Sequence, residues 1–463
     1  MCEIMNVRNR QIINRLRLSI RFYRHCFLYF QLLFWGCFAL TLTAQQAIVR
    51  PASLPDLEKI ALAKNLGLLV GRLDVAQAQS DVVTAGLRPN PVATLNADIL
   101  PIPGEGFDPN GKQYGLSVAL PFEMGGKREY RLENAQNLVI AQRYQVLNTA
   151  RQTLLAVRLA YYDVLGAQEQ LAIADANLES YRKLVSLNET RFKANQISQT
   201  EFSRSELAYE QADLQRREAA LTYTKAQRAL RFAVGYSDAE PSASQDLTFI
   251  EKLAPLVRDS LAAVSLMPLQ IRALERRYDV LAARTLRTAA ESNQRLQDAN
   301  AIPDISIAPE YTMQQGVKMY GVTGAVPLPF NNRNDGERQK ATFRLQQAEQ
   351  QIALAELTVR NEVQIAFAEF QTRLGSLQRF HIGSRSGNGA ATTGQIGILT
   401  RANDIKTASE LAYKAGSISL LEFLDAVRVY NDIYKSYVDA VVQFNKSAMT
   451  LDAALGADTI TLD

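Results

Sequence analysis

Four short stretches of the chain alternate apolar and polar residues with a period of two. In "VATLNADIL", between Pro91 and Pro101, Ala93, Leu95, Ala97 and Ile99 alternate with Thr94, Asn96 and Asp98. In "QYGLSVAL", Tyr114, Leu116, Val118 and Leu120 alternate with Gln113, Gly115, Ser117 and Ala119. "PDISIAPEYT" sets Ile305, Ile307, Pro309 and Tyr311 against Asp304, Ser306, Ala308 and Glu310. After a short "MQQGVK" turn, "MYGVTGAVPL" puts Tyr320, Val322, Val326 and Leu328 on one face. Strict alternation marks a strand with one apolar face, so four strands are expected, in two pairs.

The rest of the pattern is helical. Residues 52–87 read as one helix, with Ser53 or Asp56 available to cap it and "RPNP" to stop it. A second helical run extends from about Leu256 to Asn300. From Lys127 to about Lys193 there is no proline, and only Gly166 interrupts. At ~1.5 Å per residue that helix is roughly 100 Å long, far beyond the usual globular helix. Ala150, Val157, Val164, Leu171, Leu178 and Val185 fall seven apart, and Leu147, Leu154 and Tyr161 fill the intervening heptad position. A seven-residue apolar repeat held this long implies helices packed side by side as coiled coil.

The chain also writes one phrase twice. "RFKANQISQTEFSRS" (191–205) returns as "AYKAGSISLLEFLDA" (412–426), 221 positions later. Lys193/Lys414, Ala194/Ala415, Ile197/Ile418, Ser198/Ser419, Glu201/Glu422 and Phe202/Phe423 coincide. The register holds through Tyr209/Tyr430, Ala219/Ala440, Lys225/Lys446, Leu230/Leu451 and Gly235/Gly456. So long a period marks a duplicated structural half, here residues 45–240 and 241–463. Each phrase falls between two helices. Ser198 and Ser419 stand as N-caps with Glu201 and Glu422 three residues on, a capping box in both copies. Each phrase is therefore the tip of a helical hairpin.

Composition changes the picture at the start of the chain. Residues 1–24 carry six arginines against one acid, followed by "CFLYFQLLFWGCFALTL" and "TAQQ". That is the layout of a secretory signal, residues 1–44, cut after Ala44. A transmembrane anchor is the rival reading, and a lipoprotein cut before Cys37 is a third. Without residues 1–44, Lys+Arg falls from 51 to 45 and Asp+Glu from 47 to 46, so net charge moves from +4 to −1. No basic face is left to point to nucleic acid. All three cysteines lie in this presequence, and the remaining chain has one histidine, His381. No disulfide, thiolate metal site or cysteine nucleophile is expected. No catalytic residue, cofactor-binding residue or metal ligand stands out.

Strands of 8–10 residues suit a tilted membrane-spanning strand, which needs ~9–11. Open sheet edges cannot face lipid, and the smallest usual single-chain barrel has ~8 strands. Four strands cannot close, and the long helices run away from them. Pooling strands from three chains into twelve is the better account. Leu95, Ile99, Leu116, Val118, Ile305, Ile307, Val322 and Val326 are then expected outside, with Thr94, Asn96, Asp98, Ser117 and Ser306 on the lumen.

The duplicated halves, "AGLRPNP" before the first strand, "LPFEMGGKRE" after the second and "YKAGSISLLEFLDA" at the second tip carry a resemblance. The chain resembles TolC-type outer-membrane efflux proteins over nearly all of its length past the signal. In wording it is closest to the branch serving heavy-metal cation pumps. The resemblance implies a mainly α fold with membrane β: a homotrimer with a twelve-stranded barrel in the outer membrane and a long coiled-coil barrel in the periplasm. It implies a passive export duct, not an enzyme. Its partners would be a periplasmic adaptor (a membrane fusion protein) and an inner-membrane pump of the resistance-nodulation-division type. The tips, with Lys193, Asn195, Gln196, Ser198, Gly416, Ser417 and Ser419, would meet the adaptor. Glu422 and Asp425 would face a narrow periplasmic mouth, and Tyr413 and Glu201 would latch neighbouring helices. The family often has a basic residue just before the second tip serine, where this chain has Ile418. It also continues helix where this chain has five glycines, in "HIGSRSGNGAATTGQIGIL" (381–399); a local break and a disturbed reading frame both account for that. The competing function is a pore-less periplasmic coiled-coil protein bridging envelope layers, which has no need of alternating strands.

Overall fold

A computed structural model describes residues 53–98, 113–236, 252–256, 265–314, 316–381 and 397–457. The expected signal, Ile99 and the loop after it, and residues 382–396 of the glycine-rich stretch lie outside the described residues.

The first half runs α1 (Leu54–Lys64), α2 (Leu66–Gly86), β1 (Val92–Asp98), β2 (Gln113–Phe122), α3 (Lys127–Lys193) and α4 (Gln199–Val234). The second runs α5 (Leu266–Arg276), α6 (Tyr278–Asn300), β3 (Ile305–Gln314), β4 (Val317–Ala325), α7 (Asp335–His381), α8 (Ile398–Lys414) and α9 (Leu420–Ala454). The fold is mostly helical with one four-stranded sheet. The turn expected over "MQQGVK" is tighter than the sequence implied: β3 continues to Gln314, and Gly316 turns the chain at φ 81°.

Neither helical run ahead of a strand pair is continuous, which corrects the expectation for 52–87 and 256–300. The first breaks at Asn65 (φ −62°, ψ 120°), whose side chain accepts the Gly67 N–H at 2.9 Å and the Leu68 N–H at 3.3 Å, capping α2. Ser53, one expected cap, instead donates to Asp56 Oδ2 at 2.7 Å. The second breaks at Arg277 (φ −69°, ψ 128°), whose guanidinium is buried against Asp279 and Glu362. The glycines that matched in the repeat supply a reason. Gly235 (φ 90°) ends α4 against the first kink, where a Cβ would lie 3.1 Å from Asn65 Cα. Gly456 (φ 62°) sits against the second, where a Cβ would lie 3.3 Å from Arg277 Cγ. Helix propensity alone favours a straight helix; docking against the returning hairpin bends it.

All strand pairs are antiparallel, in the order β1-β2-β3-β4. The register aligns Leu95 with Leu116, Leu116 with Tyr311 and Tyr311 with Tyr320 on one face. Thr94, Ser117, Glu310 and Gly321 align on the other. The "LPFEMGGKRE" segment is the joint between sheet and helices. Asp304 accepts from Lys127 at 2.7 Å and from the Met124 N–H at 2.9 Å. Arg128 and Arg131 donate to the carbonyls of Gly86 (2.7 Å) and Ala85 (2.9 Å), which end α2.

Helix α3 is 67 residues long and opens after Gly126 at φ 73°. Its counterpart α7 opens after Asn334 at φ 61°. One core packs Val359, Val363 and Phe370 of α7 against Phe444, Ala448 and Leu451 of α9. A second packs Val157, Tyr161 and Val164 of α3 against Leu57, Leu230 and Val234. Helices α3 and α9 pack tightly at Gly166, where a Cβ would lie 2.6 Å from Val442 Cγ2. Along the α3 heptad Ala150, Val157 and Val164 are fully buried, whereas Leu171, Leu178 and Val185, nearer the tip, are half-buried.

Gly166→Leu should therefore destabilise by ~1–3 kcal/mol through overpacking, and adding Val442→Ala should recover most of the loss. Denaturant unfolding of the single and double variants checks this.

Candidate functional site

The two hairpin tips lie roughly 100 Å of α-helix away from the sheet, at ~1.5 Å per residue over α3. Both end their first helix in the same way. Asn195 (φ 55°) and Gly416 (φ 75°) take left-handed backbone. The Gln196 N–H reaches Arg191 O and the Asn195 N–H reaches Phe192 O, each at 2.9 Å. The Ser417 N–H reaches Ala412 O at 2.8 Å, and the Gly416 N–H reaches Tyr413 O at 3.0 Å. This paired arrangement satisfies carbonyls that a helix end leaves open. Each tip also carries the same ion pair one turn back, Lys193–Glu189 and Lys414–Glu410, both 2.7 Å. Each stacks one ring from either side of the turn, Phe192 on Phe202 (5.4 Å) and Tyr413 on Phe423 (5.3 Å). Lys193, Asn195, Gln196, Ser198, Gly416, Ser417 and Ser419 are all exposed.

The tips then diverge. At the second, Ser419 Oγ accepts the Glu422 N–H at 3.3 Å and the Ser419 N–H donates to Glu422 Oε2 at 3.0 Å, a complete capping box. At the first, Ser198 Oγ accepts the Glu201 N–H at 3.2 Å without the reciprocal bond. The expected box is thus complete in one copy only, and Glu201 instead lines the open groove between the tips. Tyr413, 3% exposed, lines the same groove. Its hydroxyl donates to Asn188 Oδ1 at 2.7 Å. Arg191 donates to Lys414 O at 2.9 Å and lies 5.2 Å from the Tyr413 ring centroid. Asn188 and Arg191 therefore join hairpin one to hairpin two, and neither was singled out from sequence. A signal was present: Arg191 and Phe192 align with Ala412 and Tyr413, and such mismatches in a repeat mark where its copies took different roles.

Glu422 and Asp425 are both exposed on α9, three residues apart. Glu422 is held by the cap, and Asp425 pairs with Arg428 at 2.5 Å. Burial pushes the Tyr413 hydroxyl above its ordinary pKa and the nearby Glu201 charge adds to this, against the Asn188 hydrogen bond and the Arg191 charge.

At the other end, the apolar face of the sheet is bare. Leu95 is 80%, Val322 73% and Tyr320 83% exposed. Tyr114, Leu116, Val118, Leu120 and Phe122 alternate along one face of β2, which spans about 26 Å at ~3.3 Å per residue. Aromatic residues mark both ends of this face: Tyr114, Tyr311 and Tyr320 at one, Phe122 at the other. Leu95, Leu116, Val118, Ile305, Ile307 and Val322 share it, while Thr94, Asn96, Ser117 and Ser306 lie opposite. Val326 follows β4 and is exposed. Among the described residues no group of three or more His, Cys, Asp or Glu could hold a metal ion. No described helix is long and apolar enough to cross a membrane.

Comparison with known proteins bears on both ends. Residues 58–236 match the family model described as "Outer membrane efflux protein". The cobalt-zinc-cadmium resistance protein CzcC of Cupriavidus metallidurans is 22% identical over 88% of this chain and 90% of its own. The pyoverdine export outer membrane protein OpmQ of Pseudomonas putida is 26% identical over 81% of this chain and 80% of its own. The fold is similar to the CmeC outer membrane channel of Campylobacter jejuni, with a TM-score of 0.71 at 15% identity, covering 87% of this chain and 85% of that one. The resemblance to the outer-membrane efflux family read from the sequence is borne out.

Gly416→Ala should destabilise the second tip by ~1–2 kcal/mol, because an L residue pays for left-handed backbone while open space surrounds the site. Asn195→Gly should do the reverse at the first. Local hydrogen exchange reads both. A tyrosine whose folded pKa is raised contributes its full stability below the unfolded value of about 10 and loses it as pH rises through the folded one. Spectrophotometric titration of Tyr413→Phe should accordingly lack one late-titrating tyrosine.

Proposed function

We propose that this chain is one third of an outer-membrane duct, a passive conduit for cargo delivered by an inner-membrane pump through a periplasmic adaptor. One observation carries the reading: a sheet with a bare apolar face and two unpaired edges, β1 and β4. Four antiparallel strands per chain let β4 of one copy pair with β1 of the next in the same antiparallel sense. Three copies make twelve strands, above the ~8 that close the smallest usual barrel. At the ~35–45° tilt of such barrels, the ~26 Å face covers roughly 20 Å of their ~25 Å apolar band. The helices offer a matching seam. Helix α4 packs chiefly on α3 and α1, and Leu207, Leu214 and Leu221 recur every seven residues on its exposed side. That is one apolar position per heptad on a face a neighbouring helix would cover.

The tips are the adaptor site on this reading. They are exposed and polar, and each is stiffened by a capped turn, so a helical hairpin can dock without first ordering them. Glu422 and Asp425 line the periplasmic mouth, six carboxylates in a trimer, and Tyr413, tied to Asn188, stands beside Glu201 as the latch. Arg428 lowers the charge of that ring. Heavy-metal cations are the proposed cargo, on the likeness to a cobalt-zinc-cadmium resistance protein. The pump would be of the resistance-nodulation-division type.

Four measurements test this. Arginine at Leu95 or Val322 should cost ~2–4 kcal/mol near the midplane, and little at Thr94 or Ser117; equal tolerance on both faces would remove the barrel. Cysteine at Gln196 or Ser417 should crosslink to an adaptor in cells. In planar bilayers Glu422→Gln with Asp425→Asn should reduce cation preference, and Arg428→Gln should raise it. Zinc, cobalt and copper tolerance of a deletion strain identifies the cargo.

A further inference from the structure

A cavity of about 220 Å³ lies between α3 and the α8–α9 hairpin, beside the second tip. Leu184, Leu187, Phe423 and Val427 make an apolar floor. Lys183, Lys406 and Lys414 are among its lining residues, with one acid, Glu410.

These cations are loosely committed. Lys183 pairs with Glu179 at 3.6 Å and Lys414 with Glu410 at 2.7 Å, each exposed and on its own helix. Such pairs are worth little and yield to a better-placed anion. Lys406 sits 4.4 Å from the Tyr430 ring centroid. Tyr413 also lines the cavity and gives its hydroxyl hydrogen to Asn188 Oδ1. Asn188 is itself fully buried, and its Nδ2 has no partner. Packing alone accounts for the floor. It does not account for three lysines against one acid around an unfilled, partly apolar space.

We propose that this cavity binds a small amphiphilic anion: an aryl or short-chain carboxylate or sulfonate. Its apolar body rests on Leu184, Leu187 and Val427, and its charged group lies among Lys183, Lys406 and Lys414. The volume falls below the ~300–1,000 Å³ of drug-sized sites, so the body is a single ring or a short chain. The walls come from both hairpins, α3 from the first and α8 with α9 from the second, so an occupant ties the two halves together. The site lies within one chain and does not rest on the duct reading.

Salicylate and its uncharged amide, salicylamide, are suitable probes, titrated by calorimetry into the purified full-length protein in non-ionic detergent. Salicylate should saturate in the millimolar range or below, and salicylamide should bind about 10-fold more weakly or worse. Lys183→Gln with Lys406→Gln should weaken salicylate about 10-fold. Val427→Trp, which fills the floor, should abolish binding with the thermal midpoint kept. If Val427→Trp does not fold, the lysine pair decides, since neither side chain is part of the core. No saturation at millimolar salicylate, equal affinity for salicylamide, or unchanged affinity in the lysine variant would each overturn the site and leave a water-filled space.

Discussion

Unpaired backbone at the two edges of the sheet constrains everything else in this chain. Among the described residues, strands β1 and β4 are the edges of the sheet, each with one strand partner, and the sheet's apolar face is uncovered. In water the exposed face is unfavourable at ~25 cal/mol per Å². In hydrocarbon each unpaired backbone group costs several kcal/mol. Lipid against the apolar face removes the first penalty, and a copy of the same sheet at each edge removes the second. The helices carry the same incompleteness in the exposed leucines of α4. On the proposed reading, sheet and helical layer close together around one axis.

Duplication supplies the scaffold, and departures from it supply the chemistry. Both tips use the same backbone turn, one through Asn195 and the other through Gly416. Both kinks are held by a glycine, although Asn65 bends one by capping a helix and Arg277 the other through buried ion pairs. Where the copies differ, the differences gather on one side. Tyr413 stands where the first copy has Phe192, and its hydroxyl reaches across to Asn188. Arg191 stands where the second copy has Ala412, and it reaches back to Lys414 O. A pseudo-symmetric pair of hairpins thus becomes a pair with a directed link, whose Tyr413 also lines the proposed anion cavity.

Much of this was legible without coordinates. Period-2 alternation located all four strands, because a one-sided sheet leaves no other pattern. The absence of proline and a sustained heptad marked α3 from Lys127 to Lys193, since nothing local interrupts helix there. The repeated Ser-x-x-Glu placed both tips. The kinks at Asn65 and Arg277 were not legible, because both residues sit in sequence that favours helix. The incomplete box at Ser198 was not legible either, since Glu201 has the same local spacing as Glu422.

The sequence by itself determined the element order, the repeated tip phrase, the faces of the strands and the resemblance to the outer-membrane efflux family, all of which depend on local periodicity and spacing. Only the tertiary structure decided where the long helices bend, which tip keeps its capping box, and that Tyr413 bonds to Asn188, 225 positions away. It alone showed that Lys183 and Lys406 share one cavity. Those outcomes turn on packing between segments remote in the chain, where a side chain's partner is set by the approach of another helix and not by its own neighbours.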